Sequence, residues 1–284
     1  DVQTGKEVWH QENAHGKEIW SLAFSPDDHL LASASYDKTV KLWDTTTHTV
    51  TNTLQHTDRV FALTFNDDGS QLLVAGFESD IYLWNLTKPA SIPEATRLKG
   101  HIYSVNSLTY NPKYPPLLAS TSDDKTLLIW NADLKESTPP VLGLNESMEA
   151  VTFRPSGDWL ASATNNSTVL LWQLDPVTCS KEWNKDACQP SRLGAPLVGH
   201  QAPVNNVVFL SDTAMISSSG DGQLIYWNLE KSFWYKHACG IENRSFSDAE
   251  YSQYIQGKLN TILLDTVNWF SDRFGSGILE DAPS

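Results

Sequence analysis

The chain has 284 residues, with 20 Lys and Arg against 34 Asp and Glu, a formal net charge of −14, and 40% apolar residues. That length can bury a substantial core, as one large all-β domain or as two smaller ones. The acidic balance argues against direct nucleic-acid binding, which rests on lysine and arginine, and favours solubility and basic partners. No apolar run approaches bilayer-spanning length and no signal peptide is visible, so no membrane partner is expected.

In chain order, residues 1–14 look like the end of an earlier repeat, because Asp1 stands where the aspartate after a closing Trp belongs, 43 residues before Asp44. After His15, the run Ile19 to Phe24 alternates as a strand should. Ser25-Pro26-Asp27-Asp28 predicts a turn, since proline presets φ and aspartates bond nearby amides. Leu30 to Ala34 predicts a buried second strand, and Thr39 to Trp43 a third after the turn Tyr36-Asp37-Lys38. Thr46 to Leu54 supplies a polar fourth strand suited to a rim. The pattern then returns. LASASYDKTVKLWD at 31–44 is repeated as LLVAGFESDIYLWN at 72–85, LASTSDDKTLLIWN at 118–131, LASATNNSTVLLWQ at 160–173 and MISSSGDGQLIYWN at 215–228. The closing tryptophans Trp43, Trp84, Trp130, Trp172 and Trp227 are spaced 41, 46, 42 and 55 apart. Such self-similarity marks supersecondary units that stack on their neighbours, and four-stranded units arranged radially shield most of their edges.

A His, about 22 residues, Asp, five residues, Trp spacing at a fixed period resembles the WD-repeat β-propellers, over residues 1 to about 229. The resemblance implies an all-β fold, a β-propeller of four-stranded WD-repeat blades, with repeats at about 15–55, 56–99, 100–142, 143–198 and 199–229. Residues 1–14 then form a partial N-terminal repeat, and 230–284 a short helical C-terminal extension and tail. It also implies a hydrogen-bonded tetrad in each blade, joining a loop His, a second-strand Ser or Thr, a turn Asp and the third-strand Trp. Three repeats carry all four: His15, Ser33, Asp37 and Trp43; His101, Ser120, Asp124 and Trp130; His200, Ser217, Asp221 and Trp227. The second has His56 and Trp84, but Val74 and Glu78 replace Ser and Asp. The fourth keeps Ser162 and Trp172, has Asn166 for Asp and lacks the His, which predicts the least protected outer strands there. Family propellers most often close with seven blades, so the chain is expected to be the C-terminal piece of a longer protein. The alternative is a five-bladed closure that uses 4–10 as the last outer strand.

Ser247-Asp248-Ala249-Glu250 is a capping box opening a short helix to about Gln256. Residues 237–254 are similar to a segment after the final blade of large bacterial multidomain WD-repeat proteins, through Ala238, Cys239, Arg244, Ser247, Glu250 and Tyr251. Residues 258–274 place apolar residues at helical spacing and are expected to pack on the propeller. Three cysteines, an odd number without metal-ligand spacing, predict no disulfide framework and a reducing, cytoplasmic compartment. Trp183-x-x-x-Ala187-Cys188 echoes Trp234-x-x-x-Ala238-Cys239 as a capping insert docked on a blade edge.

A catalytic Ser/His/Asp set occurs once in a protein, whereas these recur with the fold period and include a structural Trp, which identifies a packing device. No enzyme, cofactor or metal is therefore expected, and the Asp27-Asp28, Asp67-Asp68 and Asp123-Asp124 pairs read as turn chemistry. In the family, the loops before the first strand and after the second meet on one face, commonly the partner-binding one. Projecting there would be Glu18, Trp20 and Tyr36; Arg59, Phe61 and Phe77; Ser104, Asn106 and Asp123; Ser147, Glu149 and Asn165; and Asn205. Trp20, Tyr36, Phe61 and Phe77 are expected to cluster around Arg59, either as a partner site of hot-spot residues or as rings that fill the channel mouth. The resulting expectation is a non-catalytic scaffold that binds a protein or peptide. The alternative is a sensor or regulatory arm of a larger bacterial signalling NTPase or protease, partnered by effector domains upstream in the same chain.

Overall fold

Apolar residues alternate with small or polar ones between turns built on Pro, Asp and Gly, and each such segment forms a strand. A computed structural model describes residues 5–87, 95–114, 117–131, 136–141, 145–181 and 183–230. The capping box, the 237–254 segment and the 258–274 segment lie outside the described residues.

Five antiparallel sheets follow one another along the chain. The first is β1 (Ile19–Phe24), β2 (Leu30–Ser35), β3 (Thr39–Asp44) and β4 (Thr49–Gln55). The second is β5 (Val60–Phe65), β6 (Gln71–Gly76), β7 (Ile81–Asn85) and β8 (Thr96–Leu98). The third is β9 (Val105–Tyr110), β10 (Leu117–Ser122), β11 (Leu127–Asn131) and β12 (Glu136–Ser137). The fourth is β13 (Met148–Phe153), β14 (Trp159–Thr164) and β15 (Thr168–Gln173), with helix α1 (Pro176–Lys181) leading to β16 (Ser191–Arg192) and β17 (Leu197–Val198). The fifth is β18 (Val204–Ser211), β19 (Ala214–Ser219) and β20 (Leu224–Asn228).

Two sheets depart from the uniform four-stranded plan. In the fourth, the outer position is split between β16 and β17, which pair opposite ends of β15. In the fifth, three strands are found among the described residues. The long connection in the fourth sheet also corrects the cysteine expectation. Cys179, on α1, and Cys188 are fully buried and joined as a disulfide across a separation of nine residues. The odd count concealed a local pair, and the pair removes the support that cysteine usage gave to a reducing compartment. The same loop adds packing to the fourth sheet: Cys179 and Cys188 pack with Trp172 and Leu174, and Trp183 packs against that cluster. Among the described residues no helix is long and apolar enough to cross a membrane.

The core lies in the seams between successive sheets. β1 packs on β5, β5 on β9, β9 on β13 and β13 on β18, so these first strands form the inner edge. Three of the four later inner strands send a buried apolar pair into the preceding seam, Leu63 and Phe65, Val151 and Phe153, Val207 and Phe209, and β9 sends buried Leu108 with partly buried Tyr110. Each such Phe contributes about 1.5–3 kcal/mol through removal from water. The equivalent Leu22 and Phe24 of β1 are each 60% exposed, and Leu224 and Tyr226 on the far face of the fifth sheet are exposed as well. Both end faces of the series are therefore apolar and uncovered among the described residues.

Candidate functional site

The repeated hydrogen-bond set comes first because it fixes the loops that carry the exposed site. In the first sheet Trp43 Nε1 donates to Ser33 Oγ at 2.8 Å, and His15 Nε2 lies 2.7 Å from the same oxygen. His15 Nδ1 faces Asp37 Oδ2 at 2.9 Å, and the Gly16 amide donates to that carboxylate at 2.8 Å. The third sheet repeats this with Trp130 to Ser120 at 2.7 Å, His101 to Ser120 at 2.6 Å and His101 to Asp124 at 2.9 Å. The fifth does so with Trp227 to Ser217 at 2.8 Å, His200 to Ser217 at 2.8 Å and His200 to Asp221 at 3.1 Å. Each serine is buried with its oxygen occupied by Trp and His, so none is presented to a substrate.

Burial pushes the Asp37 carboxyl up, but hydrogen bonds from Thr39, the Gly16 amide and His15 outweigh it and hold the group down to about 2. Asp124, opposed by burial but bonded by His101, Thr126 and the Ile102 amide, lies well below the usual carboxylate range. Asp221 is held to about 2, with burial again overcome by the Gln201 and Gln223 amides and His200.

In the second sheet Val74 supplies no hydroxyl. His56 Nε2 and Trp84 Nε1, which match the two atoms that Ser33 Oγ bridges in the first sheet, are buried without a partner. Burial holds His56 down to about 4, partly opposed by Glu78. Glu78 instead accepts from the hydroxyls of Thr57 and Tyr82. In the fourth sheet Trp172 still donates to Ser162 at 2.9 Å, while Asn166 Nδ2 donates to Glu146 Oε1 at 3.0 Å.

One end of the sheets is organised by two features that recur in every repeat. The first is a break in register at the start of each inner strand, which leaves Trp20, Phe61, Asn106, Glu149 and Asn205 each as an extra, unpaired residue. A β-bulge of this kind re-aims the side chain it inserts. The second is a backbone hydrogen bond from the residue after the second strand to the loop before the first. It runs from Tyr36 to Glu18 at 3.0 Å, Phe77 to Arg59 at 3.0 Å, Asp123 to Ser104 at 3.0 Å, Asn165 to Ser147 at 3.1 Å and Gly220 to Pro203 at 3.0 Å. Each sheet thus offers two paired positions to this face: Trp20 and Tyr36, Phe61 and Phe77, Asn106 and Asp123, Glu149 and Asn165, Asn205 and Gly220.

The occupants divide the face. Trp20 stacks on Tyr36 with centroids 5.0 Å apart, Tyr36 meets Phe61 at 5.5 Å, and Trp20 meets Phe61 at 6.4 Å. The Arg59 guanidinium lies over Phe77 at 4.2 Å, Tyr36 at 5.5 Å and Phe61 at 6.0 Å, and so ties Phe77 to the other rings. Gly76 permits this placement, because a Cβ there would lie 2.0 Å from the Arg59 carbonyl oxygen. The neighbouring sector is acidic. Asp123 accepts from Asn106 Nδ2 at 2.7 Å and from Ser147 Oγ at 2.9 Å. Burial, with the Asp123 charge nearby, pushes the Glu149 carboxyl up against a lowering hydrogen bond from Ser147. No group of three or more metal-ligating side chains converges among the described residues. The Asp27 and Asp68 carboxylates accept from turn amides, those of His29 and Ser70.

Residues 6–44, 48–85, 93–131, 144–173 and 191–228 match the family described as WD domain, G-beta repeat. The chain belongs to the WD40-repeat family. WD40 repeats generally act as non-catalytic surfaces for protein–protein interaction. Among similar proteins, a guanine nucleotide-binding protein subunit beta of Nicotiana plumbaginifolia is 26% identical over 177 residues, covering 58% of this chain and 44% of that protein. The nuclear distribution protein PAC1 of Arthroderma benhamiae is 32% identical over 173 residues, 58% of this chain and 38% of its own. A periodic tryptophan protein 2 homolog of Mus musculus is 43% identical over 75 residues, 26% of this chain and 8% of its own. The chain thus spans less than half the length of these curated relatives.

Against this WD40 frame, the structure brings Trp20, Tyr36, Arg59, Phe61 and Phe77 together as one surface and brings together all four members of each of the three complete tetrads. Ser104 departs from its expected place. It is buried, with its hydroxyl donating to the Phe77 carbonyl at 3.4 Å. Gly76 and the bulges were not read from the sequence. The signal for Gly76 was its place, one residue before Phe77, where the other repeats carry Ser35, Ser122, Thr164 and Ser219.

Proposed function

We propose that this WD40 segment is an interaction scaffold that binds a protein or peptide through the surface formed by Trp20, Tyr36, Arg59, Phe61 and Phe77. The observation that carries the reading is the ring cluster gathered around Arg59 at one end of the sheets, in which Trp20 is 59% and Phe77 48% exposed while Tyr36, Arg59 and Phe61 are partly exposed. Aromatic and arginine side chains are the types that dominate binding energy at interfaces, and here their arrangement is fixed before a partner arrives. The acidic neighbour sector around Asp123 and Glu149 gives the face an orientation.

The test is selection of binding peptides on the intact chain, followed by affinity and melting measurements on a Trp20→Ala, Phe61→Ala double variant. The reading predicts loss of binding with a small change in melting temperature, because Trp20 is solvent-facing. A Tyr103→Ala control, exposed in the third repeat, leaves binding intact. Unchanged affinity in the double variant would refute the assignment of this face.

A further inference from the structure

Of the arginines that lie over rings among the described residues, Arg59 and Arg154 approach most closely, and they differ in one respect. Arg154 lies 4.3 Å over Trp159, and its fork is filled. Its Nη2 donates to Asp158 Oδ2 at 2.5 Å and its Nε to Asp158 Oδ1 at 3.0 Å, a two-point clamp on one carboxylate. Arg59 lies at nearly the same height, 4.2 Å over Phe77, with Tyr36 and Phe61 at its flanks. Its guanidinium donates no hydrogen bond among the described residues. The nearest acid, Asp58, forms only a long ion pair with it: its Oδ1 stands 3.8 Å from Arg59 Nε, beyond hydrogen-bond distance, while accepting from the Arg59 backbone amide at 2.8 Å and lying 3.9 Å from Lys38 Nζ. A guanidinium held by three rings has lost its freedom of orientation while keeping its planar set of donors, the geometry that matches a carboxylate.

We infer that the hydrogen-bond acceptor that the Arg59 guanidinium lacks is a side-chain carboxylate of the bound peptide, an Asp or Glu next to an apolar or aromatic residue that covers Trp20. What Asp158 does for Arg154 within the chain, the peptide does for Arg59 between chains. This inference rests on the peptide-binding reading above and opposes the expectation from net charge, which favours basic partners. Local geometry decides here, because a clamp on a ring-backed guanidinium acts at contact distance, whereas the general negative field is screened over about 8 Å at physiological salt.

The experiment uses a random peptide library displayed at the N-terminus of a phage coat protein, so that terminal carboxylates are absent. Enriched sequences are then made with both termini blocked and measured by fluorescence polarisation on the intact chain. The expected peptides share an Asp or Glu within a few residues of an aromatic. Changing that Glu to Gln weakens binding by about tenfold or more, and Arg59→Gln does the same. The two changes together weaken it no further than either alone, and Arg59→Lys recovers only part because an ammonium has no fork. Enriched peptides that are basic or neutral, yet depend on Trp20 and Phe61, would overturn the carboxylate while leaving the scaffold reading standing. Acidic peptides indifferent to Arg59 would overturn it as well. Failure to enrich any peptide that depends on Trp20 and Phe61 would overturn both. Melting curves of the Arg59 variants, expected to match the parent, exclude loss of folding as the cause.

Discussion

The second and third sheets are built on one pattern and secured in different ways. In the third, a single buried oxygen, Ser120 Oγ, joins Trp130 to His101 and through it to Asp124. In the second, Val74 occupies that place, and His56 and Trp84 are left with buried, unpartnered nitrogens. Both sheets form with the same topology, so the tetrad does not specify the blade. Alternation, turns and seam packing do that, and the tetrad adds local stability. The second sheet, which lacks it, carries Arg59, Phe61 and Phe77, so the exposed surface is held by bulge, glycine and ring stacking instead.

The comparison can be broken most forcefully at the tryptophans. Trp130→Ala, at a fully buried site, is expected to cost about 3–5 kcal/mol in urea unfolding, and Trp84→Ala, at a half-buried one, clearly less. Equal costs would show that the shared hydroxyl is irrelevant. Next, Ser120→Val would reproduce the second sheet inside the third. Orphaning His101 Nε2 and Trp130 Nε1 is expected to cost about 2–6 kcal/mol, at about 1–3 kcal/mol for each buried group.

The third sheet also leans on the disulfide loop of the fourth. Trp183 Nε1 donates to Glu136 at 3.0 Å, and Gln189 Nε2 donates to the Pro140 carbonyl at 3.1 Å. Cys179→Ser is expected to cost about 2–3 kcal/mol for a loop of this length and to speed amide exchange around β12. Exchange unchanged there would separate the loop from the neighbouring edge. The smallest effect is the converse repair. Val74→Thr offers an oxygen to both orphaned nitrogens and is expected to stabilise by about 0.5–1.5 kcal/mol.

Acid sharpens the contrast between the two sheets. His56 is held near 4 when folded, below its ordinary 6.5. The opened second sheet therefore binds a proton that the folded one refuses, and its stability falls as pH drops from about 6.5 towards 4. Asp124 is depressed instead, so its contribution is complete above the ordinary carboxylate value and is lost only as pH falls below it towards the folded value. Amide exchange, corrected for intrinsic rates, should show β7 and β8 weakening before β11.

The repeat, the strands and the three complete tetrads were legible because each depends on residues at fixed spacing. The five members of the aromatic cluster were legible because equivalent positions in successive repeats converge on one end. What escaped was non-periodic. The Cys179–Cys188 pair sits in the one connection that departs from the repeat, where an odd total of cysteines says nothing about proximity. Ser104 was read as projecting, but its short side chain turns to the Phe77 carbonyl of the neighbouring sheet, a contact the repeat pattern does not reveal. The need for Gly76 is a backbone approach of Arg59, a contact between segments that neither segment reveals alone.

The most direct measurement of the central claim is the amide-exchange footprint of a selected peptide on the intact chain. Protection is predicted in 36–38, 57–62 and 77–79, the segments that carry Tyr36, Arg59, Phe61 and Phe77, with no change in the outer strands. Protection confined to 103–106 and 147–149, or to the edge strands β4 and β8, would contradict the assignment of the aromatic face.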